Sequence, residues 1–328
     1  MKALITGGGG FLGSRIARML HARGDDVVVL GRHTYPHHEK ADIRTVQADI
    51  RDAAAVRRAC RGMDVVLHVA ALASIRGKRK TFWDINVAGT QHVIDGCREH
   101  GVVRLVYTST PSVVFGEDEL CGVDETQPYP DRYLAYYPET KAEAERRVLA
   151  ANGTSLATVA LRPHLIFGPG DPHLIPRVIA RACQGRLIQV GDGKNLVDVT
   201  YIDNAAEAHL QAVDALAADA ACAGRAYFVS QGEPVLLWPW LNEILAAVGA
   251  PTVTRAISHR KAHRVGAILE WVYRLVGTTR EPRMTRFLAA QLAESHYFDI
   301  SAARRDLGYH VRVSTEEGVR RLVVSFRR

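Results

Sequence analysis

A tyrosine followed four residues later by a lysine, Tyr137-Pro138-Glu139-Thr140-Lys141, is the pairing in this chain best suited to moving a proton. On a helix the two side chains share one face, so the ammonium can lie near the phenol and favour its ionised form. An ordinary phenol, with a pKa of about 10, is a poor base at neutral pH, and a nearby cation is what proton transfer there requires. Tyr133 and Tyr136 lack that partner, because Tyr137 and Thr140 stand four residues beyond them. Taken alone, the pair also fits an exposed polar contact on an ordinary helix. A second set of useful groups closes an apolar run: Arg104-Leu105-Val106-Tyr107-Thr108-Ser109-Thr110 reads as a strand stopped by Pro111, with hydroxyls on Thr108, Ser109, Thr110 and Ser112. At the C-terminal end of a strand in a doubly wound sheet, such a hydroxyl can hydrogen-bond a substrate carbonyl. Serine and threonine there also serve simply to cap and turn the chain.

These groups need a scaffold that carries them to one edge, and the start of the chain supplies its first unit. Thr6 to Gly13 reads Thr-Gly-Gly-Gly-Gly-Phe-Leu-Gly, between the apolar run Ala3-Leu4-Ile5 and an amphipathic stretch with Ile16, Ala17, Met19 and Leu20. Strand, glycine turn and helix in that order form a dinucleotide cradle. Gly7, Gly10 and Gly13 permit a tight turn and close helix packing, and leave main-chain N–H groups around Phe11 and Leu12 for a diphosphate. Further apolar runs at Val27 to Leu30, Val65 to Val69, Leu105 to Tyr107 and Leu156 to Leu161 alternate with helical patterns. That rhythm predicts a Rossmann-type α/β fold, a doubly wound parallel sheet covered on both faces. In such sheets right-handed connections let the cradle and the Tyr-Lys helix meet at one edge.

After Pro163 the texture changes. Residues 168–193 are rich in Pro and Gly, Asp198 to Asp203 and Ala226 to Ser230 are expected as strands returning to the sheet, and Val235 to Glu294 reads as mostly helical. Residues 215–223 read as an alanine-rich helix end. The expected division is a dinucleotide-binding domain of residues 1–165 plus 197–232 and a smaller, mostly helical substrate lobe of residues 166–196 plus 233–322.

The chain resembles the extended short-chain dehydrogenase/reductases, and within them the 3β-hydroxysteroid dehydrogenase-like branch. Besides the cradle and the Tyr-Lys pair, the resemblance rests on Ala48-Asp49-Ile50, His68-Val69-Ala70-Ala71, Asn86 in Ile-Asn-Val-Ala-Gly-Thr, Leu161-Arg162-Pro163, Phe167-Gly168-Pro169-Gly170-Asp171 and Val199-Thr200-Tyr201-Ile202-Asp203-Asn204. The stretches from Tyr107 to Gly116, Leu161 to His173 and His296 to Tyr309 look like the bacterial OleD-type 2-alkyl-3-oxoalkanoate reductases of long-chain olefin biosynthesis. The resemblance implies an acid/base phenol on Tyr137, an activating ammonium on Lys141 that also holds the nicotinamide ribose, and a carbonyl-polarising hydroxyl on Thr110. Serine is the commoner residue in that last role, so Ser109 and Ser112 stay open beside Thr110. It further implies Asp49, with Ile50, near the adenine, Ala70 and Ala71 on the nicotinamide-ribose side, and Pro163 at the nicotinamide ring; helix capping, close packing and a strand stop are their structural alternatives.

Cofactor choice follows from the end of the second strand. An NAD-selective site places an acidic residue about 20 residues beyond the cradle, where it holds the ribose 2′-hydroxyl and repels a 2′-phosphate. Here Asp26-Val27-Val28-Val29-Leu30 ends in Gly31-Arg32-His33. A guanidinium there suits a 2′-phosphate, so NADP(H) is the expected cofactor, with Arg32 as first contact and His33 as second.

With 328 residues, 47% hydrophobic and 23% charged, the chain can bury a full core and is large enough for a main domain with a smaller lobe. Cys60, Cys97, Cys121, Cys183 and Cys222 are odd in number and lack zinc spacing, so no metal site is expected and free thiols in a cytoplasmic protein are. A first strand at Ala3 leaves no room for a signal peptide, and no uncharged run approaches the ~20 residues of a membrane span. The formal charge of +7 comes without any nucleic-acid-binding signature and suits an anionic cofactor and an acidic substrate. The run Arg76-Gly77-Lys78-Arg79-Lys80 is either a steering patch or a solvated loop. Val265 to Val276 is strongly apolar with basic neighbours and reads first as a core helix of the small lobe, with an alkyl channel, a membrane face or a partner enzyme of a hydrocarbon-making assembly as alternatives; Glu270 and Arg274 form an i,i+4 pair on it.

Together these readings predict NADP(H)-dependent reduction of the C3 ketone of a hydrophobic 2-alkyl-3-oxo acid by a homodimeric enzyme. The same residues would serve a hydroxysteroid or 4-carboxysterol dehydrogenase. A dinucleotide-sensing regulatory protein is the reading from another class, and the intact Tyr137 and Lys141 speak against it.

Overall fold

The computed structural model describes residues 1–74, 77–116, 118–172, 174–276 and 282–327. Arg76 of the basic run lies outside the described residues, as does the side chain of Arg274.

Seven strands form one parallel sheet: β1 (Lys2–Thr6), β2 (Asp26–Gly31), β3 (Arg44–Gln47), β4 (Val65–His68), β5 (Arg104–Thr108), β6 (Ala157–Pro163) and β7 (Arg225–Val229). Their spatial order is β7-β6-β5-β4-β1-β2-β3. The chain therefore runs one way from β1 and the other way from β4, which opens a crevice beyond the C-terminal ends of these two strands. Period-two alternation sends Ala3 and Ile5 of β1 to one face and Leu4 to the other. The first face is covered by α1 (Phe11–Ala22) and α5 (Ile202–Ala215), with Ile16, Leu20, Ala205 and Ala212 fully buried. The opposite face is covered by α2 (Ala53–Cys60), α3 (Gly89–Glu99) and α4 (Tyr136–Ala150), through Val56, Val93, Ile94, Ala144 and Val148. Each large aliphatic side chain buried in these layers contributes about 1.5–3 kcal/mol, which fixes the strand ends that carry the chemistry.

Three expectations are corrected. Arg225–Val229 joins the main sheet beside β6, but the other predicted strand does not reach it, and its Thr200 and Tyr201 pair with Ile166 and Phe167 in a separate two-stranded sheet. The reason is that α5 begins at Ile202, where its alanine face docks on α1. Residues 216–223 are turns rather than helix, since the buried Leu216 takes an extended conformation that ends α5. The apolar stretch from Val265 lies in α6 (His259–Leu275), and it is not core: Ile268, Trp271 and Leu275 are 60%, 61% and 67% exposed. Its Glu270 binds the main-chain N–H and the guanidinium of Arg286, at 2.7 and 2.9 Å, at the start of α7 (Arg286–Ala293).

Residues His296–Phe298 pair with Leu120–Val123 and with Leu196–Val197, which in turn pairs with Val235–Leu236. This mixed four-stranded sheet brings the far end of the sequence against the loop that follows β5. All five cysteines are free thiols; Cys60, Cys97 and Cys222 are buried and Cys121 and Cys183 exposed.

Candidate active site

The glycine turn leaves no room for side chains. Gly7 has φ +69°, and a Cβ there would lie 2.8 Å from the Ala70 backbone, while one on Gly13 would collide with the Gly7 carbonyl. Gly10 donates its N–H to that carbonyl at 2.9 Å and then caps α1 without any side-chain hydrogen bond. The N–H groups of Phe11, Leu12 and Gly13, in the first turn, thus have no intrahelical partner, and with the positive end of the helix dipole they fit a diphosphate. Two residues without a sequence signal shape the same loop. The Tyr35 ring fills the space above Gly9 and Gly31, and His38 Nε2 donates to the Gly8 carbonyl at 2.9 Å.

Around this turn the predicted contact residues gather at the C-terminal ends of β1, β2, β4 and β6. Arg32 and His33 follow β2 with exposed side chains, and Gln47 of β3 holds the Arg32 carbonyl at 3.1 Å. Ala70 and Ala71 follow β4, and Pro163 ends β6. Asp49 follows β3, where Arg51 grips its carboxylate at 2.8 and 2.9 Å and holds its pKa down at about 2. Ile50 is buried in the core beside Gly89. Between β1 and β4, the buried His68 bridges Thr6 and Thr90 at 2.6 and 2.9 Å, and burial drives its pKa to about 3.

The proton-moving residues meet beyond β5. Tyr137 and Thr110 line one cavity of about 240 Å³ together with Ser112, His164, Phe287 and Gln291. Ser112 takes a hydrogen bond from the Thr110 hydroxyl at 3.2 Å, whereas Ser109 is buried and lies off the cavity wall. The phenol of Tyr137 is pushed up to about 12 by burial, with a hydrogen bond to Thr110 pulling the other way. Lys141 does not bond the phenol. Its ammonium donates to the Thr108 carbonyl at 2.6 Å and sits 4.1 Å from the centre of the Tyr107 ring. Burial lowers it to about 7, against the attraction of Glu145.

That glutamate was not anticipated. Glu145 continues the four-residue spacing of Tyr137 and Lys141 and is fully buried, where Arg162 of β6 holds it at 2.6 and 3.0 Å and the Tyr129 hydroxyl donates at 2.7 Å. The third step of the i,i+4 stripe was the available signal. Asn86, in a widened helical turn over Trp83–Ala88, grips the Leu72 N–H at 2.7 Å and donates to Thr140 at 3.0 Å, so it ties the loop after β4 to α4. On the cavity's far side, His164 Nε2 lies 2.7 Å from His296 Nδ1, and His296 Nε2 lies 2.9 Å from the Gln291 carbonyl. Burial keeps both imidazoles below the usual histidine range. No local pattern marks this pair, whose members are 132 residues apart.

The profile of the 3-beta hydroxysteroid dehydrogenase/isomerase family matches residues 4–257. A 2-alkyl-3-oxoalkanoate reductase of Stenotrophomonas maltophilia is 52% identical over 99% of both chains. A second, from Shewanella oneidensis, is 47% identical over 98% of this chain and 86% of its own. Among solved structures, the UDP-glucose 4-epimerase of Thermus thermophilus in complex with NAD superposes with a TM-score of 0.75 at 27% identity, covering 100% of this chain and 99% of that one.

Proposed function

The chain belongs to the 3-beta hydroxysteroid dehydrogenase/isomerase family, and from that premise we propose that it reduces the C3 ketone of long-chain 2-alkyl-3-oxoalkanoic acids to the hydroxyl with NADPH. The observation that carries the reading is the cavity that joins Tyr137 and Thr110, in a chain 52% identical to a reductase of that name. The cofactor class is a nicotinamide dinucleotide, and the N–H groups opening α1 with the crowded Gly7 and Gly13 fit its diphosphate. The exposed guanidinium of Arg32, with His33 beside it, supports NADP(H) over NAD(H). Ala70, Ala71 and Pro163 would flank the nicotinamide half, and Asp49 and Ile50 the adenine.

When bound, the reduced nicotinamide supplies the hydride that C3 receives. Thr110 turns its one hydroxyl hydrogen from Ser112 to the C3 oxygen as charge develops there, and the Ser112 hydroxyl then donates to Thr110 in its place. Tyr137, held protonated at neutral pH, gives its proton to the same oxygen. The phenolate left behind is then refilled from solvent, with Lys141 as the cation nearest in sequence on that face. Glu145 and Arg162 keep a compensated charge pair beneath it. Reduction has a chemical purpose as well, because a free β-keto acid readily loses carbon dioxide and the β-hydroxy acid does not.

The test is NADP⁺ reduction by the purified protein with a long-chain 2-alkyl-3-hydroxy acid, compared with NAD⁺ and with a 3β-hydroxysterol. Turnover on the acyclic acid with NADP⁺ preferred is expected. Turnover confined to the sterol would move the substrate to the steroid class, and a preference for NAD⁺ would remove the role given to Arg32.

A further inference from the structure

A substrate with a carboxylate next to its reacting ketone must bring a negative charge into the cavity beside Tyr137, and leaving that charge buried and unpaired costs several kcal/mol. Among the described residues that line the cavity there is no lysine or arginine. The titratable side chains among those described residues are Tyr137 and His164.

The hydrogen bonds of the histidine pair fix which nitrogen is free. A main-chain carbonyl only accepts, so His296 Nε2, 2.9 Å from the Gln291 oxygen, carries a hydrogen. In a neutral ring His296 Nδ1 is then an acceptor, and His164 Nε2, 2.7 Å away, must donate to it. This leaves His164 Nδ1 as a bare lone pair. That atom has no partner among the described residues and is not sealed from the cavity, although the residue as a whole is 5% exposed. The next residue, Leu165, has φ +38°, a left-handed conformation that a branched side chain rarely takes, so the chain is bent sharply where it presents this ring.

We propose that His164 is the carboxylate site of the substrate: its Nδ1 and the carboxyl group share one proton, taken up from solvent on binding, while His296 and the Gln291 carbonyl hold the ring in the tautomer that leaves Nδ1 free. The inference rests on the acid substrate proposed above. Before binding, at neutral pH, the imidazole is neutral and the acid ionised; in the complex one proton lies between them, whichever atom carries it. Binding the acid therefore consumes one proton, and affinity falls by about tenfold for each pH unit above neutrality. A neutral ester of the same chain brings no charge and consumes none.

The other groups around the pair bear on that contrast. From α4 come Tyr137 and, behind it, Lys141, tied to the Thr108 carbonyl. From the neighbouring strand comes His296 itself. Asp198, whose N–H donates to the His296 carbonyl at 3.1 Å and whose carboxyl is pushed up to about 6 by burial, lies behind it. Helix α7 contributes the uncharged Phe287 and Gln291. Tyr137 stays protonated across this pH range, whereas Asp198 and Lys141 could each act on the charged acid and spare the ester, so both need their own control.

The experiment is calorimetric binding of 2-hexyl-3-hydroxydecanoic acid, and of its methyl ester, to the NADPH-bound protein, a pairing that cannot turn over. Titrations at pH 7.5 and 8.5, each in two buffers of different ionisation enthalpy, count the protons. Uptake near one proton for the acid, a Kd rising about tenfold between these pH values, and neither effect for the ester are expected. His164→Gln should lose the uptake and the pH slope, and Lys141→Met and Asp198→Asn should each keep both. Binding of the acid without proton uptake, or uptake that survives in His164→Gln or disappears in Lys141→Met or Asp198→Asn, would overturn the assignment while leaving the proposed reaction standing. Failure of the acid to bind at any pH would remove both.

Discussion

The two halves of the site are built on opposite plans. The proposed cradle after β1 would work through backbone: its N–H groups are free to bind, and Gly7 and Gly13 leave no space for a side chain, which would strike Ala70 or Gly7. The cavity after β5 works through side chains delivered from distant segments, with Thr110 from the loop after β5, Tyr137 from α4, His164 from the turn after β6 and Gln291 from α7. A backbone site is fixed by a short stretch of chain, whereas a side-chain site inherits its geometry from the whole fold. The cradle should therefore fail when space is taken away, and the cavity when a functional group is.

The largest separation of the two is expected from Tyr137→Phe. Loss of the proton donor should lower kcat by about 10²- to 10⁴-fold, while the dissociation constant for NADPH, read by fluorescence, stays unchanged. Equal losses in both would mean that the phenol is structural. Gly13→Ala should do the reverse. A methyl forced against the Gly7 carbonyl costs about 1–3 kcal/mol, seen as cofactor binding weakened by about 10- to 100-fold with folded circular dichroism retained.

Arg32→Ala sharpens the comparison within the cradle. The ratio of kcat/KM for NADP⁺ over NAD⁺ should drop by about tenfold, roughly the worth of one charge-assisted hydrogen bond, with the NAD⁺ value unmoved. An unchanged ratio would show that the guanidinium is only solvated.

The last effect is common to both regions. His68 at the cradle and His209 beneath β5 are buried neutral, at about 3 and about 4, below the ordinary value of 6.5. Their contribution is intact above pH 6.5, where unfolded and folded chains are both unprotonated, and is lost as the pH falls towards 4 because only the unfolded chain takes up the protons. Each adds a slope of up to about 1.4 kcal/mol per pH unit in that window. Thermal melts should fall steadily from pH 6.5 to 4.5, and a flat profile would contradict their burial as neutral rings.

This division also explains what could be read from the sequence. Strands β1, β2, β4, β5 and β6 show as apolar runs because both faces of the sheet are covered, and the cradle shows because steric necessity leaves glycines at a fixed spacing. Tyr137 and Lys141 announce themselves by helical period, and the same period carried one step further would have found Glu145. The choice of Thr110 over Ser109 needed the turn at Pro111, which sends one hydroxyl to the cavity and buries its neighbour. His164 with His296 had no local signature, since they meet only because His296–Phe298 pairs with Leu120–Val123. The misread strand at Asp198 to Asp203 and the helix α6 both turn on tertiary context: α5 claims Ile202 for its packing on α1, and an amphipathic period does not say whether the apolar face meets protein or solvent.

The most direct measurement is product analysis. A 2-alkyl-3-oxo acid, released in place from its ester, is incubated with the protein and NADPH, and the 2-alkyl-3-hydroxy acid is quantified by mass spectrometry against the ketone left by decarboxylation. Hydroxy acid accumulating mole for mole with NADPH consumed, and absent with Tyr137→Phe, is the expected result. Decarboxylated ketone alone, with the NADPH intact, would contradict it.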